Sequence, residues 1–138
     1  MIFKKKRGTH GRIEIPSLLI GIPLYDGDGK TAQDIVDAPQ SAVFLRWRTQ
    51  DVIADHSFQD GFQRLRWAVP GKTVAYIDND GREAYICVQK QVGHIRDKLY
   101  DSQWQEAKPG GLVMYTCIGA SDPDTMDVWL TYWKKQKE

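Results

Sequence analysis

The chain has 138 residues, enough for one domain with a buried core and too few for two. Apolar residues make up 41% and charged residues 27%, which is typical of globular proteins and excludes a disordered chain. The net charge of +1 argues against a nucleic-acid partner, and no apolar run is long enough to predict a membrane span. Two cysteines without paired metal-ligand spacing predict no disulfide framework, and we expect neither a metal nor another cofactor.

The two ends of the chain are charged. Residues 1–11 contain a Lys and Arg cluster followed by glycines, which predicts a flexible basic arm, and residues 134–138 predict a charged tail. Residues 12–133 are then the folded domain. No apolar segment follows the basic cluster, so the arm is not a signal peptide.

The first third of the domain predicts two strands and one helix. Residues 12–16 alternate polar and apolar side chains before a proline, and residues 18–27 form a second apolar segment that ends in a turn. Thr31 to Asp37 predicts a short helix with Thr31 as its N-cap, which Pro39 prevents from extending.

The rest of the domain is dominated by strands. We expect two hairpins, formed by residues 41–48 with 51–56 and by residues 72–78 with 82–90; the second turns at Asp80-Gly81. Phe58, Phe62 and Leu65 have helical spacing and are predicted core contacts. Residues 93–108 predict a polar loop, and residues 126–133 the last strand. Seven or eight short strands with little helix predict a mainly β fold, a closed and largely antiparallel barrel.

One predicted strand, residues 110–117, ends in a cysteine. Two glycines begin this strand and a turn-rich loop, residues 118–123, follows it. Cys117 is therefore expected where the barrel opens to solvent. The thiolate is the reactive form, and a free cysteine titrates at about 8.5, so a nucleophilic cysteine needs a base. Cys87 lies in the middle of a strand and is expected to be buried.

His56 is the best candidate base, because it also follows an apolar strand that runs into a loop. His94 is the backup base, and His10 lies on the predicted arm and is not expected to take part. A cysteine and a histidine at strand ends far apart in sequence are the pattern of a Cys–His hydrolase or transferase. A buried structural role is the alternative for each of them.

These motifs resemble those of the sortases, cysteine transpeptidases of Gram-positive bacteria that anchor proteins to the cell wall. A late strand ends in Thr116-Cys117, an Ala-x-His motif precedes it by about sixty residues, and residues 22–27 read Ile-Pro-Leu-Tyr-Asp-Gly. The resemblance covers residues 12–133 and implies a sortase-like closed barrel. It implies that Cys117 cuts a peptide sorting signal through a thioacyl intermediate, with His56 as acid and base, and transfers it to an amine. The expected partners are therefore a peptide sorting signal and an amine acceptor.

The sequence departs from the sortase pattern in four places, one of which is that no membrane anchor, which typical sortases carry, is predicted in this chain. The nucleophile strand keeps only the last two residues of Thr-Leu-x-Thr-Cys, and Asp55 replaces the glycine before the histidine. Sortases also carry an arginine on the following strand that holds the developing oxyanion, whereas no arginine follows Arg96 here. The matching positions are Met126 or Asp127, neither of which can donate. The candidates to replace this donor are Tyr115, Lys134, Arg46 and Arg48.

Three functions are consistent with this pattern. The first is an active sortase-like transpeptidase, and the second is a catalytically impaired protein of the same fold that binds a peptide or protein partner. The third is a cysteine hydrolase that releases the acyl group to water. A location at the cell surface would require an anchor outside this chain, and a complete chain of this kind would act in the cytoplasm.

Overall fold

The computed structural model describes residues 9–28, 31–38, 40–47, 50–56, 61–94, 111–118 and 127–136. In these segments the chain forms eight strands: β1 (Thr9–Ile15), β2 (Ile20–Asp26), β3 (Ala42–Trp47), β4 (Gln50–Ala54), β5 (Val74–Asp78), β6 (Arg82–His94), β7 (Gly111–Cys117) and β8 (Asp127–Lys135). One α-helix, α1 (Ala32–Asp37), and two 3₁₀ helices, Pro16–Leu18 and Gln63–Trp67, complete the described structure. None of the described helices has the length and apolar character needed to cross a bilayer.

The eight strands close into one barrel in the order β1-β2-β3-β4-β7-β8-β6-β5. Two neighbouring pairs, β2 with β3 and β4 with β7, run parallel, and the other pairs are antiparallel. The predicted mainly β, closed barrel is therefore confirmed, with eight strands and short helices. Closure leaves no unpaired sheet edge in the described barrel.

Side chains that alternate between the two faces of each strand fill the barrel interior. In β2 the buried positions are Ile20, Ile22 and Leu24, while the residues between them are partly exposed. The interior cluster continues into β7 with Leu112 and Met114. Alternate apolar residues therefore meet in this core, as the sequence pattern predicts, and β4, β7 and β8 bury further apolar residues in clusters on the outer face.

The predicted hairpins are present. β3 pairs antiparallel with β4, and β5 pairs antiparallel with β6. The second hairpin turns through Asp80 and Gly81, whose φ angles are 56° and 156°. Both values lie in the left-handed region that aspartate tolerates and glycine favours, so the Asp-Gly signal has a direct conformational cause.

The structure differs from the prediction at the first and last strands. β1 begins at Thr9, so residues 9–11, expected in the basic arm, are strand residues, and residues 1–8 lie outside the described segments. Gly11 has a φ of 142°, and a Cβ atom there would lie 1.8 Å from the Asp78 carbonyl oxygen. This part of the strand was not predicted from side-chain alternation, because its position depends on the close approach of the Gly11 and Asp78 backbones. β8 likewise extends to Lys135, into the predicted tail.

The structure also describes helix α1, part of the segment with helical spacing and the start of the predicted loop 93–108. Helix α1 spans nearly the predicted residues, but the Thr31 side chain caps no helical N–H; its hydroxyl instead bonds the Asp28 backbone N–H and carboxylate. Phe62 and Leu65 are completely buried, as expected, and Phe58 lies outside the described residues. Of the predicted loop 93–108, the first two residues belong to β6 and the rest lies outside the description.

Helix α1 packs on the outer surface of the barrel. Val36 forms an apolar cluster with Val43 of β3 and Ala54 of β4, and Tyr115 of β7 packs against it. Gly27 permits this approach, because a Cβ atom there would lie 2.5 Å from Val43 Cγ2 and 3.0 Å from Ile35 Cδ1. The helix therefore lies beside the C-terminal ends of β4 and β7.

Candidate functional site

The parallel pair β4 and β7 brings the two predicted site residues to the same end of the barrel. In its register Ala54 is opposite Tyr115. His56 and Cys117 each lie two residues beyond this pair, at the point where the two strands end. Because parallel strands end at the same edge of a sheet, a histidine and a cysteine sixty-one positions apart in sequence are brought to the same end of the barrel.

Both residues belong to the outer face of the barrel. Met114 faces the interior cluster, whereas Tyr115 packs in the outer clusters with α1. Side chains alternate along a strand, so Cys117 shares the outer face with Tyr115 and Thr116 points inward, where it is completely buried. His56 follows Ala54 by the same two-residue step, from a residue of the same outer cluster.

Cys117 is partly exposed at the end of β7. Burial raises the pKa of its thiol, and the negative charge of Asp55 raises it further. Both effects disfavour the thiolate, so at neutral pH the resting group is the thiol. Nucleophilic chemistry at this site therefore requires a group that takes the Sγ proton.

Asp55, the residue before His56, is 4% exposed. Its Oδ1 accepts a hydrogen bond of 2.8 Å from the backbone N–H of His56. Gly61 packs closely on the other carboxylate oxygen, since a Cβ at Gly61 would lie 2.5 Å from Asp55 Oδ2. The Phe62 backbone N–H then donates to the His56 carbonyl oxygen at 3.2 Å. The chain on either side of the histidine is thus held by the Asp55 carboxylate and by one backbone hydrogen bond.

The His56 ring contacts the end of helix α1. Its Nε2 lies 2.7 Å from Oδ1 of Asp37, and the histidine side chain is 29% exposed. Asp37 is nineteen residues away in sequence, in an element predicted only as a short structural helix. Sequence reasoning missed this residue, and nothing in its local pattern points to the contact.

The other cysteine and histidines occupy different places. Cys87 is completely buried, and burial raises the pKa of its thiol. His94 ends β6 at the same end of the barrel as the site, paired with Asp127, although its side chain is outside the description. His10, expected on the flexible arm, stands in β1 with its ring stacked on Phe44 at 3.8 Å.

Two of the four candidate oxyanion donors lie far from the site. Lys134 pairs with Gly111, and Arg46 forms an ion pair of 2.9 Å with Asp51, both at the opposite end of the barrel from Cys117. Arg48 is outside the described residues.

Tyr115 is the described candidate donor that stays close to the cysteine. It stands two residues before Cys117 on the same face, and burial raises the pKa of its phenol to about 12. It therefore keeps its proton at neutral pH and can donate a hydrogen bond.

A cavity of about 270 Å³ lies at the opposite end of the barrel and does not include the site. Its lining residues are His10, Phe44, Arg46, Asp51, Ile77, Asn79, Glu83, Tyr85 and Leu112. Several of these are paired with one another, as in the Tyr85 hydroxyl donating to Glu83 Oε2 at 3.0 Å. Within the described part of the chain no group of three or more His, Cys, Asp or Glu side chains is placed to hold a metal ion.

No protein-family model and no curated protein sequence matches the chain. Solved structures do match it. The sortase C of Streptococcus pneumoniae is 22% identical over 97% of this chain and 72% of that chain, with a TM-score of 0.72. Sortase C of Clostridium perfringens SM101 is 22% identical over 99% and 73%, with a TM-score of 0.69. Sortase C1 of Streptococcus agalactiae is 17% identical over 97% and 70%, with a TM-score of 0.71.

These similarities extend over nearly the whole chain, and so over all eight strands of the barrel. At this level of identity they concern the course of the backbone rather than individual side chains. The agreement between an eight-stranded closed barrel and the sortase C structures leads to one conclusion: the chain has the sortase fold.

Proposed function

We propose that the protein is a sortase-like cysteine transpeptidase that cleaves a peptide sorting signal and transfers it to an amine. The observation that carries the proposal is the parallel pairing of β4 with β7, which brings Cys117 and His56 to one end and one face of the barrel. A thiol and an imidazole at one end of the barrel are the two groups that acyl transfer needs, a nucleophile and a proton carrier.

The proposed reaction has two steps. In the first, Cys117 gives its proton to His56 and Sγ attacks the scissile carbonyl carbon; a C–S bond forms, the C–N bond breaks, and the imidazolium gives the proton to the leaving amine. In the second, an incoming amine attacks the thioester and His56 takes the proton lost by that nitrogen; a new C–N bond forms, the C–S bond breaks, and the imidazolium returns the proton to Sγ, which restores the thiol. No electrons enter or leave, so the reaction needs no redox partner.

The oxyanion formed in each step needs a hydrogen-bond donor. Tyr115 supports the proposal as that donor, because it is protonated at neutral pH and shares the face of β7 with Cys117. A phenol supplies one neutral hydrogen bond, whereas an arginine supplies a fixed positive charge, so we expect slower catalysis than with an arginine. Loss of one oxyanion donor typically costs about 10²–10³ in rate.

The substrate class proposed here is a protein with an extended sorting peptide. The sortase C of Streptococcus pneumoniae has pilin substrates, which supports a protein rather than a small-molecule substrate. Attachment to the cell wall or to a polymer of subunits, in a Gram-positive bacterium, is part of the same proposal. The acceptor is an amine of that second partner.

The test is intact-protein mass spectrometry after incubation with a pooled library of sorting-signal-like peptides. We expect a thioacyl adduct on the wild type and on Cys87→Ala, and none on Cys117→Ala. Cys87 is the matched control because it is the other thiol and is completely buried. Turnover that persists after selective alkylation of Cys117 would exclude the mechanism. Comparing the products with and without an added amine separates transfer from hydrolysis to water.

A second candidate is a catalytically impaired protein that binds a peptide or protein partner through the same surface. The observation in its favour is Asp55, whose charge raises the pKa of the Cys117 thiol where sortases have glycine. The missing arginine on β8 favours it as well. Equal peptide affinity for the wild type and Cys117→Ala, with no adduct and no turnover in the wild type, would support this candidate over the first.

A further inference from the structure

The contact between His56 and Asp37 joins the proposed site to helix α1. The atoms in contact are His56 Nε2 and Asp37 Oδ1, at 2.7 Å. An ionised carboxylate only accepts hydrogen bonds, so in this contact Nε2 carries the proton. With an ionised acceptor this hydrogen bond is charge-assisted, and it becomes an ion pair when the ring is an imidazolium.

Helix α1 is held firmly enough to place Asp37. Val36, the residue before Asp37, is buried against the outer face of β3 and β4. Before the helix, the Asp28 carboxylate accepts a hydrogen bond from the Thr31 backbone N–H at 2.9 Å. At the other end, the Ala38 backbone N–H donates to the Ile35 carbonyl oxygen at 3.2 Å. Packing and turn contacts on both sides of Asp37 therefore fix its backbone beside the His56 ring.

The contact has a specific chemical consequence. When a histidine donates one ring N–H to a carboxylate, the tautomer and the ring orientation are set, and the imidazolium is stabilised. Here the carboxylate accepts from Nε2–H, and in that neutral tautomer the other ring nitrogen, Nδ1, carries no proton and is the basic nitrogen of the ring. An unrestrained histidine ring would populate two tautomers and several orientations, and only some of these could transfer a proton in the proposed reaction.

We propose that Asp37 is a positioning residue for His56, holding the ring in the Nε2–H tautomer so that Nδ1 serves Cys117 and its substrate. This inference rests on the proposed function, and it extends the pair of Cys117 and His56 by a third member from a helix outside the two site strands. Asp37 is 55% exposed, so its effect is expected to be smaller than that of a buried carboxylate, for which losses of about 10⁴ are known.

The experiment compares Asp37→Asn with Asp34→Asn. Both changes remove one carboxylate from the same short helix, and Asp34 is an exposed residue of its first turn. We expect Asp37→Asn to lower kcat at least about tenfold with little change in KM, because positioning acts on the proton-transfer step rather than on peptide binding. Asp34→Asn is expected to keep the wild-type kcat, and Asp37→Glu to recover part of it.

A spectroscopic measurement separates positioning from a general structural effect. With ¹⁵N-labelled histidine, the ring nitrogens of only three histidines are observed, and His56→Gln identifies the His56 signals. We expect the Nε2–H tautomer in the wild type and in Asp34→Asn, and a mixture of tautomers in Asp37→Asn. Urea unfolding of the three proteins checks that each is folded under the assay conditions.

The possible results are distinct. A loss of kcat together with a tautomer change, in Asp37→Asn alone, supports the positioning role. A wild-type kcat in Asp37→Asn, an unchanged tautomer, or an effect on KM alone would overturn it while leaving the transpeptidase proposal intact. If the wild type forms no adduct with the pooled peptides, the proposed function fails first, and the catalytic role of Asp37 fails with it.

Discussion

A buried hydrogen-bond chain joins β8 to the middle of β7. The Trp133 indole Nε1–H donates to Thr131 Oγ1 at 2.7 Å, and the Thr131 hydroxyl donates to the Met114 carbonyl oxygen at 2.8 Å. Trp133, Thr131 and Met114 are all completely buried. We predict that Thr131→Val, which keeps the side-chain shape, destabilises the protein because it removes both bonds.

The magnitude follows from the two bonds. Leaving the indole N–H buried without its partner costs about 1–3 kcal/mol, and losing the hydroxyl bond to Met114 costs about 1 kcal/mol. We expect a total loss of about 2–4 kcal/mol in the free energy of unfolding. For a chain of this size the corresponding decrease in Tm is roughly 6–12 °C.

A double-mutant cycle with Trp133→Phe tests the reasoning. In the Trp133→Phe background no indole N–H remains to be left without a partner, so Thr131→Val should cost only about 1 kcal/mol. The four proteins are compared by urea unfolding, with equal m-values as the check for two-state behaviour. A coupling energy of about 1–3 kcal/mol is expected, which is the cost assigned to the stranded indole N–H. If the losses of the two single mutants add up to the loss of the double mutant within about 0.5 kcal/mol, the claim that Thr131 and Trp133 act as a unit is refuted.

Three further predictions concern the site. Iodoacetamide should alkylate Cys117 faster than the buried Cys87 in the folded protein, which peptide mapping by mass spectrometry measures; equal rates would contradict the assigned burial. Asp55→Asn should move the pH profile of Cys117 alkylation to lower pH, because the charge of Asp55 raises the pKa of the thiol, and an unmoved profile would exclude this electrostatic effect. Tyr115→Phe should lessen the loss of stability in alkaline solution. The pKa of Tyr115 is raised from 10.0 to about 12, because burial disfavours the phenolate in the folded protein. The free energy of unfolding is therefore unaffected by this group below pH 10 and decreases above pH 10, where the unfolded chain ionises first, by at most about 2–3 kcal/mol. Urea unfolding at pH 8 and pH 11 measures this, and parallel losses in the two proteins would contradict it.

Much of the fold was predictable because its causes are local. Alternating apolar residues in β2 predict a half-buried strand, and Asp80-Gly81 predicts a tight hairpin from backbone conformation alone. Thr9 to Gly11 were missed for an equally physical reason. This part of β1 is set by how closely its backbone approaches Asp78, and side-chain pattern carries no information about that distance.

The sequence by itself determined that the chain is a mainly β domain and that Cys117 and His56 end two apolar strands, because alternation, turns and strand ends are recorded in neighbouring residues. Only the tertiary structure decided that these two strands lie parallel and adjacent, that Lys134 and Arg46 lie at the other end of the barrel, and that Asp37 meets His56. The physical reason is that strand order and helix docking are set by closure of the barrel and by packing of its outer face. Those contacts join residues tens of positions apart and leave no periodic signal in either segment.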